Sequence, residues 1–480
     1  MDFISAFRLS PKSVIALTGG GGKTTLMFRL ADELTATGLH VVTTMTTHLF
    51  VAQMARAPAN LSLPDEDAVL AQLPHSLATH KHVLVVGGTI VEETRIQGVA
   101  PDFVDRLAAH PAVDAVIVEA DGSRRRSFKA PAAHEPVIPA GATVVAPVVG
   151  LDVLGKPLTA EHVHRPDRVA ALTGASLGDP VTPELIAAVL AHSEGGTKGL
   201  PLGARLMPVL NKAEDEASLA AARQIARRLL AYPIVDSVLI AAAQAADPVG
   251  EVWGRVGAVV LAAGQGRRFG ALKQLLPWHG VPLVAHVADQ ALTCPDVDRV
   301  IVTVGAGAEQ VRAALATRNV TCVPVPDWTA GQSRSVQAGL QAARAGGPIP
   351  ARPTHAEETP LLPPGTDDRG AISAAVFLLA DQPGVTPQLL SALIRRHRAT
   401  LAPVVAPRYA GRRGNPVLFD RATFGEFARL SGDIGARPII QAHADEIAWV
   451  DWPTPEITQD IDMAADYRGA EGQGKAADGS

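Results

Sequence analysis

The sequence holds only two cysteines in 480 residues, Cys294 and Cys322, too few for a disulfide framework or a cysteine zinc site. It also lacks any dense block of Lys and Arg. The nearest is Arg124, Arg125 and Arg126, and with a net charge of −5 the chain carries no electrostatic footprint for nucleic acid. No apolar stretch reaches membrane-spanning length. The opening MDFISAFRLSPKS has neither the charged start nor the apolar run of a signal peptide, so neither export nor a membrane partner is expected. Together these absences suit a reducing cytoplasm. What is present is globular: 47% hydrophobic and 19% charged residues supply buried cores, in a chain too long for one ordinary domain.

Short β-type runs alternate with Ala- and Leu-rich helical runs throughout. SVIALT, HVVTTM, HVLVVGG, AVIVEAD, TVVAPVVG and LMPVLN fill the first half, then GAVVLAAG, RVIVTVG, AAVFLLADQ and PVVAP the second. The pattern predicts an α/β chain of two doubly wound domains with mainly parallel, buried strands. The first domain is expected over residues 1–245, a linker over 246–257 and the second domain over 258–467. Residues 345–370, rich in Pro and Gly without an apolar period, should form a mobile insertion, and the tail 468–480 should fray.

The second domain opens with GAVVLAAGQGRRFG, a buried strand running into a glycine-rich turn, followed by Lys273. Ala262 and Ala263 lead into Gly264 and Gly266, which let backbone N–H groups approach an anion without an intervening Cβ, while Arg267 and Lys273 can neutralise a triphosphate. A dinucleotide-binding turn fits less well, because Phe269 stands where the third glycine belongs. LAAGxGxRxG with a following Lys resembles the signature of nucleotidyltransferases that pass NMP units to sugars, alditols and molybdopterin. Further landmarks follow in order over residues 258–467: GQSRSVQAGL with Ser333 and Ser335, LADQPGV with Asp381, GRRGNPVLF with Asn415, and DIDMAADY with Asp462. Together they most resemble the molybdenum cofactor cytidylyltransferases, the MocA-like branch of the MobA-like NTP transferase family. Met463 departs from the usual Thr of the last motif.

That resemblance implies a Rossmann-like nucleotidyltransferase fold, CTP and molybdopterin cofactor as substrates, and Mg2+ held by Asp381 and Asp462. It places Ser333 and Ser335 beside the nucleotide base. The chemistry agrees with these residue types, since a phosphate nucleophile is already anionic and needs charge neutralisation rather than a strong base. Read alone, Asp381 is equally a helix N-cap ahead of Pro383, Asp462 a surface turn, and Asn415 before Pro416 either ordinary turn chemistry or a reader of the pterin ring.

In the first domain SVIALTGGGGKTTLMFRLADEL reads as a strand, a glycine cluster and a helix with Leu26, Leu30 and Leu34 on one face. Gly19, Gly20, Gly21 and Gly22 then cradle phosphates, with Lys23, Thr24 and Thr25 at the helix N-terminus. The standard first glycine is replaced by Leu17, so the loop is either shortened or lacks that residue. AVIVEADGSRRR ends a strand in Glu119 and Asp121, which with Thr24 can serve Mg2+. LNKAED places Asn211 and Lys212 as a base reader or a plain strand end, with Glu214 where guanine recognition wants Asp. His162, His164 and Asp167 offer a further metal reading, short of a fourth ligand.

TGGGGKTT, VEADGSRRRSFKAPAAHEPVIP, GLDVLGKPL and LNKAED resemble, in order, the YqeC-type family linked to selenium-dependent molybdenum hydroxylases. The resemblance implies a P-loop NTPase-like domain binding ATP or GTP in an accessory role, with a molybdenum hydroxylase apoenzyme as partner. Lys129, His134 and Glu135 lie in its longest matching stretch, as a second ligand site or a charged surface loop. The expected whole is a fusion making molybdopterin cytosine dinucleotide. GTP or another phosphate acceptor, or a cofactor carrier without catalysis, are the alternatives.

Overall fold

The computed structural model describes residues 1–62, 65–88, 90–92, 94–265, 271–345 and 370–459. The expected insertion lies outside the described residues but for its ends, and the expected tail lies outside them entirely. The chain forms two compact units, one ending at Trp253 and the next beginning at Gly254. Among the described residues no helix is long and apolar enough to cross a membrane.

The first unit is built on a sheet whose central strand is Ser13–Gly19, flanked by Ala115–Glu119 on one side and Val144–Gly150 on the other. Both neighbours run parallel to it, with Leu17 beside Glu119 and Gly19 beside Val148. The sheet extends through Val41–Met45 and His82–Val86 in one direction and Val209–Asn211 and Val238–Ala241 in the other, again in parallel. Only the edge strand Val249–Trp253 pairs antiparallel on this path. Continuous burial along VIALT and AVIV follows from helices on the sheet faces. Helix Lys23–Ala36 supplies one such cover, burying Leu26, Leu30 and Leu34 as their spacing predicts.

The second unit centres on Val256–Ala262, parallel to Arg299–Val304 and Ala374–Leu379. Ala262 lies beside Val304 and Leu261 beside Leu379, so three strands end together. Beyond Ala374–Leu379 the sheet turns mixed. Val417–Asp420 inserts antiparallel, next to Val404–Tyr409, which pairs parallel with Ile447–Asp451. Helix Gln332–Arg344 lies close on the sheet through Gly339, where a Cβ would come 2.4 Å from the Val259 side chain. Both units are thus α/β with largely parallel sheets, as the alternating pattern predicts.

Candidate functional site

In the second unit the C-terminal ends of three parallel strands gather the predicted residues. Ala262 and Ala263, both buried, lead into Gly264, where a Cβ would meet nothing within 4 Å among the described residues. The Ala263 carbonyl accepts the Ala306 N–H at 3.0 Å, tying the turn to the end of the adjacent strand. Gln274, 5% exposed, donates its amide to the Ala262 carbonyl at 3.2 Å and the Gly264 carbonyl at 3.0 Å. The loop is therefore pinned where it starts and where it returns. Lys273, the residue before Gln274, places its ammonium 3.6 Å from Asp381 Oδ2, just past the end of the neighbouring strand. Gly266, Arg267 and Asp462 lie outside the described residues.

Ser333 and Ser335 are buried in the first turn of helix Gln332–Arg344. The Ser333 hydroxyl has no hydrogen-bond partner among the described residues. The preceding Gly331 has φ 116°, and a Cβ there would strike Gly432 at 2.4 Å. Only glycine suits this position. The helix N-terminus is covered by the segment after Leu430: Ser333 N–H donates to the Gly432 carbonyl at 3.2 Å and Gln332 N–H to Asp433 Oδ1 at 3.1 Å. Asn415 is half-buried and donates its backbone N–H to the Ile457 carbonyl at 2.9 Å. The turn Pro455–Thr458 also packs on Gly384, so Asn415 and Gly384 border one turn.

In the first unit the strand continues through Leu17, fully buried beside Glu119, to Gly19. The glycine cluster thus begins at the strand's end, with Leu17 inside the strand. Each glycine of it is needed: added Cβ atoms would meet Val148 O at 2.4 Å, Arg126 O at 2.5 Å, Gly150 N at 2.0 Å and Asn211 Nδ2 at 2.7 Å for Gly19 to Gly22 in turn. The helix that follows starts at Lys23 with Gly22 as its N-cap and no side-chain cap, leaving first-turn N–H groups for an anion. Thr24 donates its hydroxyl to Glu119 Oε2 at 2.8 Å. Thr25 follows in the same first turn. Lys23, 3% exposed, donates to the Gly19 carbonyl at 2.6 Å and sits 3.2 Å from Asp121 Oδ1 and 3.6 Å from Glu119 Oε1. Burial works against its charge, but the pull of Asp121 and then Glu119 outweighs it and raises its pKa.

Asp121, expected with Glu119 at a metal, lies among cations, and its buried Oδ1 has no hydrogen-bond partner among the described residues. Oδ1 faces Lys23, while Oδ2 faces Lys129 at 3.0 Å and accepts the Gly19 N–H at 3.0 Å. Lys129 and Glu135 are neither a surface loop nor an open ligand site, because they pair with each other in the interior at 2.7 Å, and His134 alone of the three points to solvent. Arg165 grips both Glu135 oxygens. Burial opposes the Glu135 charge, yet the hydrogen bonds from Arg165 and Lys129 prevail and bring its carboxyl down to about 2. A depressed carboxyl contributes stability that is present above its unfolded value near 4.5 and is lost as pH falls toward 2. Unfolding free energy should therefore drop through that window by about 3 kcal/mol more than in Glu135→Gln, as denaturant titrations at stepped pH would show.

Asn211 both closes its strand and braces the glycine loop. Its amide donates to the Gly21 carbonyl at 2.8 Å and accepts from Ala243 N–H at 3.0 Å, with Glu214 on the surface. Burial, then Arg165 and Lys129, hold His164 down to about 4, so its ring is neutral near neutral pH. Among the described residues no group of three His, Cys, Asp or Glu is placed to hold a metal ion, His162, His164 and Asp167 included. Gln274 and Arg165 escaped the sequence reading because their roles depend on carbonyls and charges distant along the chain.

A glycine turn after the central strand of a parallel sheet, with a lysine and an aspartate meeting at the strand ends, defines a nucleotidyltransferase-type α/β domain in the second unit. Comparison with known proteins gives the families. Residues 15–167 match the YqeC protein model and residues 258–447 the MobA-like NTP transferase domain model. YqeC of Escherichia coli (strain K12) is 34% identical over 200 residues, 42% of this chain and 76% of that protein. Nicotine blue oxidoreductase of Paenarthrobacter nicotinovorans is 28% identical over 214 residues, 42% of this chain and 90% of that protein. The crystal structure of Rv0371c from Mycobacterium tuberculosis H37Rv shares 30% identity over 45% of this chain and 97% of that chain, with a TM-score of 0.36. The chain belongs to the YqeC family through its first unit and carries a MobA-like NTP transferase domain in its second.

Proposed function

We propose that the second unit transfers CMP from CTP to molybdopterin cofactor, releasing pyrophosphate and forming molybdopterin cytosine dinucleotide. The observation that carries this reading is the meeting of Lys273 and Asp381, 3.6 Å apart, beside a glycine turn pinned by Gln274. Glycine at position 264 lets backbone N–H groups approach the triphosphate, while Arg267 and Lys273 balance its charge. A terminal phosphate oxygen of the cofactor attacks the α-phosphorus of CTP; the new P–O bond forms as the bond to the β-phosphate oxygen breaks. Pyrophosphate carries away the electron pair, and no protein base is required. Asp381, a third exposed at its strand end, fits a hard cation that keeps most of its waters. Mg2+ held there with Asp462 would supply charge neutralisation between the α-phosphate and the incoming oxygen. Ser333, with its unpartnered hydroxyl, and Ser335 border the base, and Asn415 faces the pterin side.

In the same reading the first unit binds ATP or GTP through Gly19 to Thr25, and Thr24 with Glu119 would hold its Mg2+. Thr24 Oγ and the Glu119 carboxylate, 2.8 Å apart, are the oxygen pair such a cation takes. Its role is accessory, in maturation of a molybdenum hydroxylase in the cytoplasm.

Product analysis tests this directly. The purified chain is incubated with Mg2+, molybdenum cofactor and each labelled nucleotide, and pyrophosphate and dinucleotide are measured. Release with CTP and the cofactor is expected. Product from GTP would reject the base, and release only with a sugar phosphate would reject the acceptor. Tight binding of finished dinucleotide without pyrophosphate would make the protein a carrier. One relative of this unit is named an oxidoreductase, so electron transfer without nucleotide turnover is a further outcome that would reject the transferase reading.

A further inference from the structure

Lys129 is the centre of a buried ion chain that nucleotide binding as described above leaves without a role. Its ammonium, 1% exposed, lies 3.0 Å from Asp121 Oδ2, 2.7 Å from Glu135 Oε2 and donates to the Gly122 carbonyl at 2.6 Å. Two of its three protons go to Gly122 and Glu135, and Asp121 is held as a close ion pair. So enclosed and tightly paired, it stays with its carboxylates. Lys23 has the same kinds of partner, one carbonyl and two carboxylates, but its carboxylates stand farther off than those of Lys129. It holds the Gly19 carbonyl at 2.6 Å, but two of its partners, Asp121 at 3.2 Å and Glu119 at 3.6 Å, are carboxylates with which a phosphate competes.

Lys23 serves either Asp121 or a phosphate. Were it the sole cation at Asp121, its departure would strand a buried carboxylate, and that penalty would hold it back. With Lys129 present the remaining set balances: Asp121 and Glu135 are acidic, Lys129 and Arg165 basic, and Arg165 fixes Glu135 through both oxygens. We propose that Lys129 is the resident counter-ion of Asp121, a positioning residue that frees Lys23 to move from Asp121 onto the phosphates of a bound nucleotide. This rests on the reading that the first unit binds ATP or GTP.

Calorimetric titration of the full chain with Mg-ATP and Mg-GTP, well below the melting temperature, tests it. Lys129→Met should weaken binding by about tenfold or more, and Lys129→Arg should restore it. Adding Asp121→Asn to Lys129→Met should also recover affinity, because the competitor for Lys23 is gone. Should the single variant not fold, Lys129→Met/Glu135→Gln, which removes both charges of the pair, carries the same expectation of weak binding recovered by Asp121→Asn. A Lys129→Met chain that melts lower but binds as tightly as the unaltered protein would make Lys129 merely structural and overturn the proposal. Failure of Asp121→Asn to recover binding would overturn it as well. If the unaltered chain bound neither nucleotide, the nucleotide reading would fall first and this inference with it.

Discussion

Asp381→Ala is expected to lower pyrophosphate release by about a hundredfold to a thousandfold or more, because in the proposed function it removes a carboxylate that would hold Mg2+. Asp381 stands at the end of a strand whose interior is buried, and its own side chain is a third exposed. The ion pair with Lys273 is partly open to water, where such pairs are worth about 0–1 kcal/mol. The fold should therefore survive. Loss of turnover should appear with a melting temperature within a few degrees of the parent and with CTP binding weakened far less than turnover. Lys273→Ala, by contrast, removes charge from the triphosphate without removing the cation site, so its loss should fall more on the apparent affinity for CTP. Equal turnover in the Asp381→Ala chain would take Asp381 out of the chemistry altogether.

The reach of sequence reasoning can be judged residue by residue. Strands such as Val256–Ala262 and Ser13–Gly19 were legible because an apolar, β-branched run ending in glycine has few alternatives in a parallel sheet. The glycine loops were legible for the same local reason, and crowding around Gly19 to Gly22 explains why no other residue fits. Direction was not legible. Val417–Asp420 carries nothing in its apolar residues that fixes its antiparallel pairing with Ala374–Leu379 and Val404–Tyr409. The charge chain was hidden for a stronger reason: Lys129 and Arg165 look like surface residues until the sheet brings their partners to them. The same holds for Gln274, whose two acceptors are backbone carbonyls and leave no trace in composition. Glu119 and Asp121, alike in sequence, part company because Asp121 lies among cations while Glu119 meets the Thr24 hydroxyl.

Lys23→Ala should cost the first unit most of its affinity for ATP or GTP, by about tenfold to a hundredfold, the worth of one charge-assisted hydrogen bond of roughly 1.5–3 kcal/mol. The altered chain should still fold, since Asp121 keeps Lys129 and the Gly19 N–H when Lys23 is gone. CTP-dependent pyrophosphate release by the full chain should stay within about twofold, because the residues assigned to transfer all belong to the other unit. Two readouts on one protein thus separate the units: nucleotide affinity falls while transfer stands. Transfer that fell together with ATP or GTP affinity would mean that the two units are coupled. Affinity that survived the substitution would mean that Lys23 holds carboxylates and no phosphate, and that the loop Gly19 to Gly22 is a structural turn.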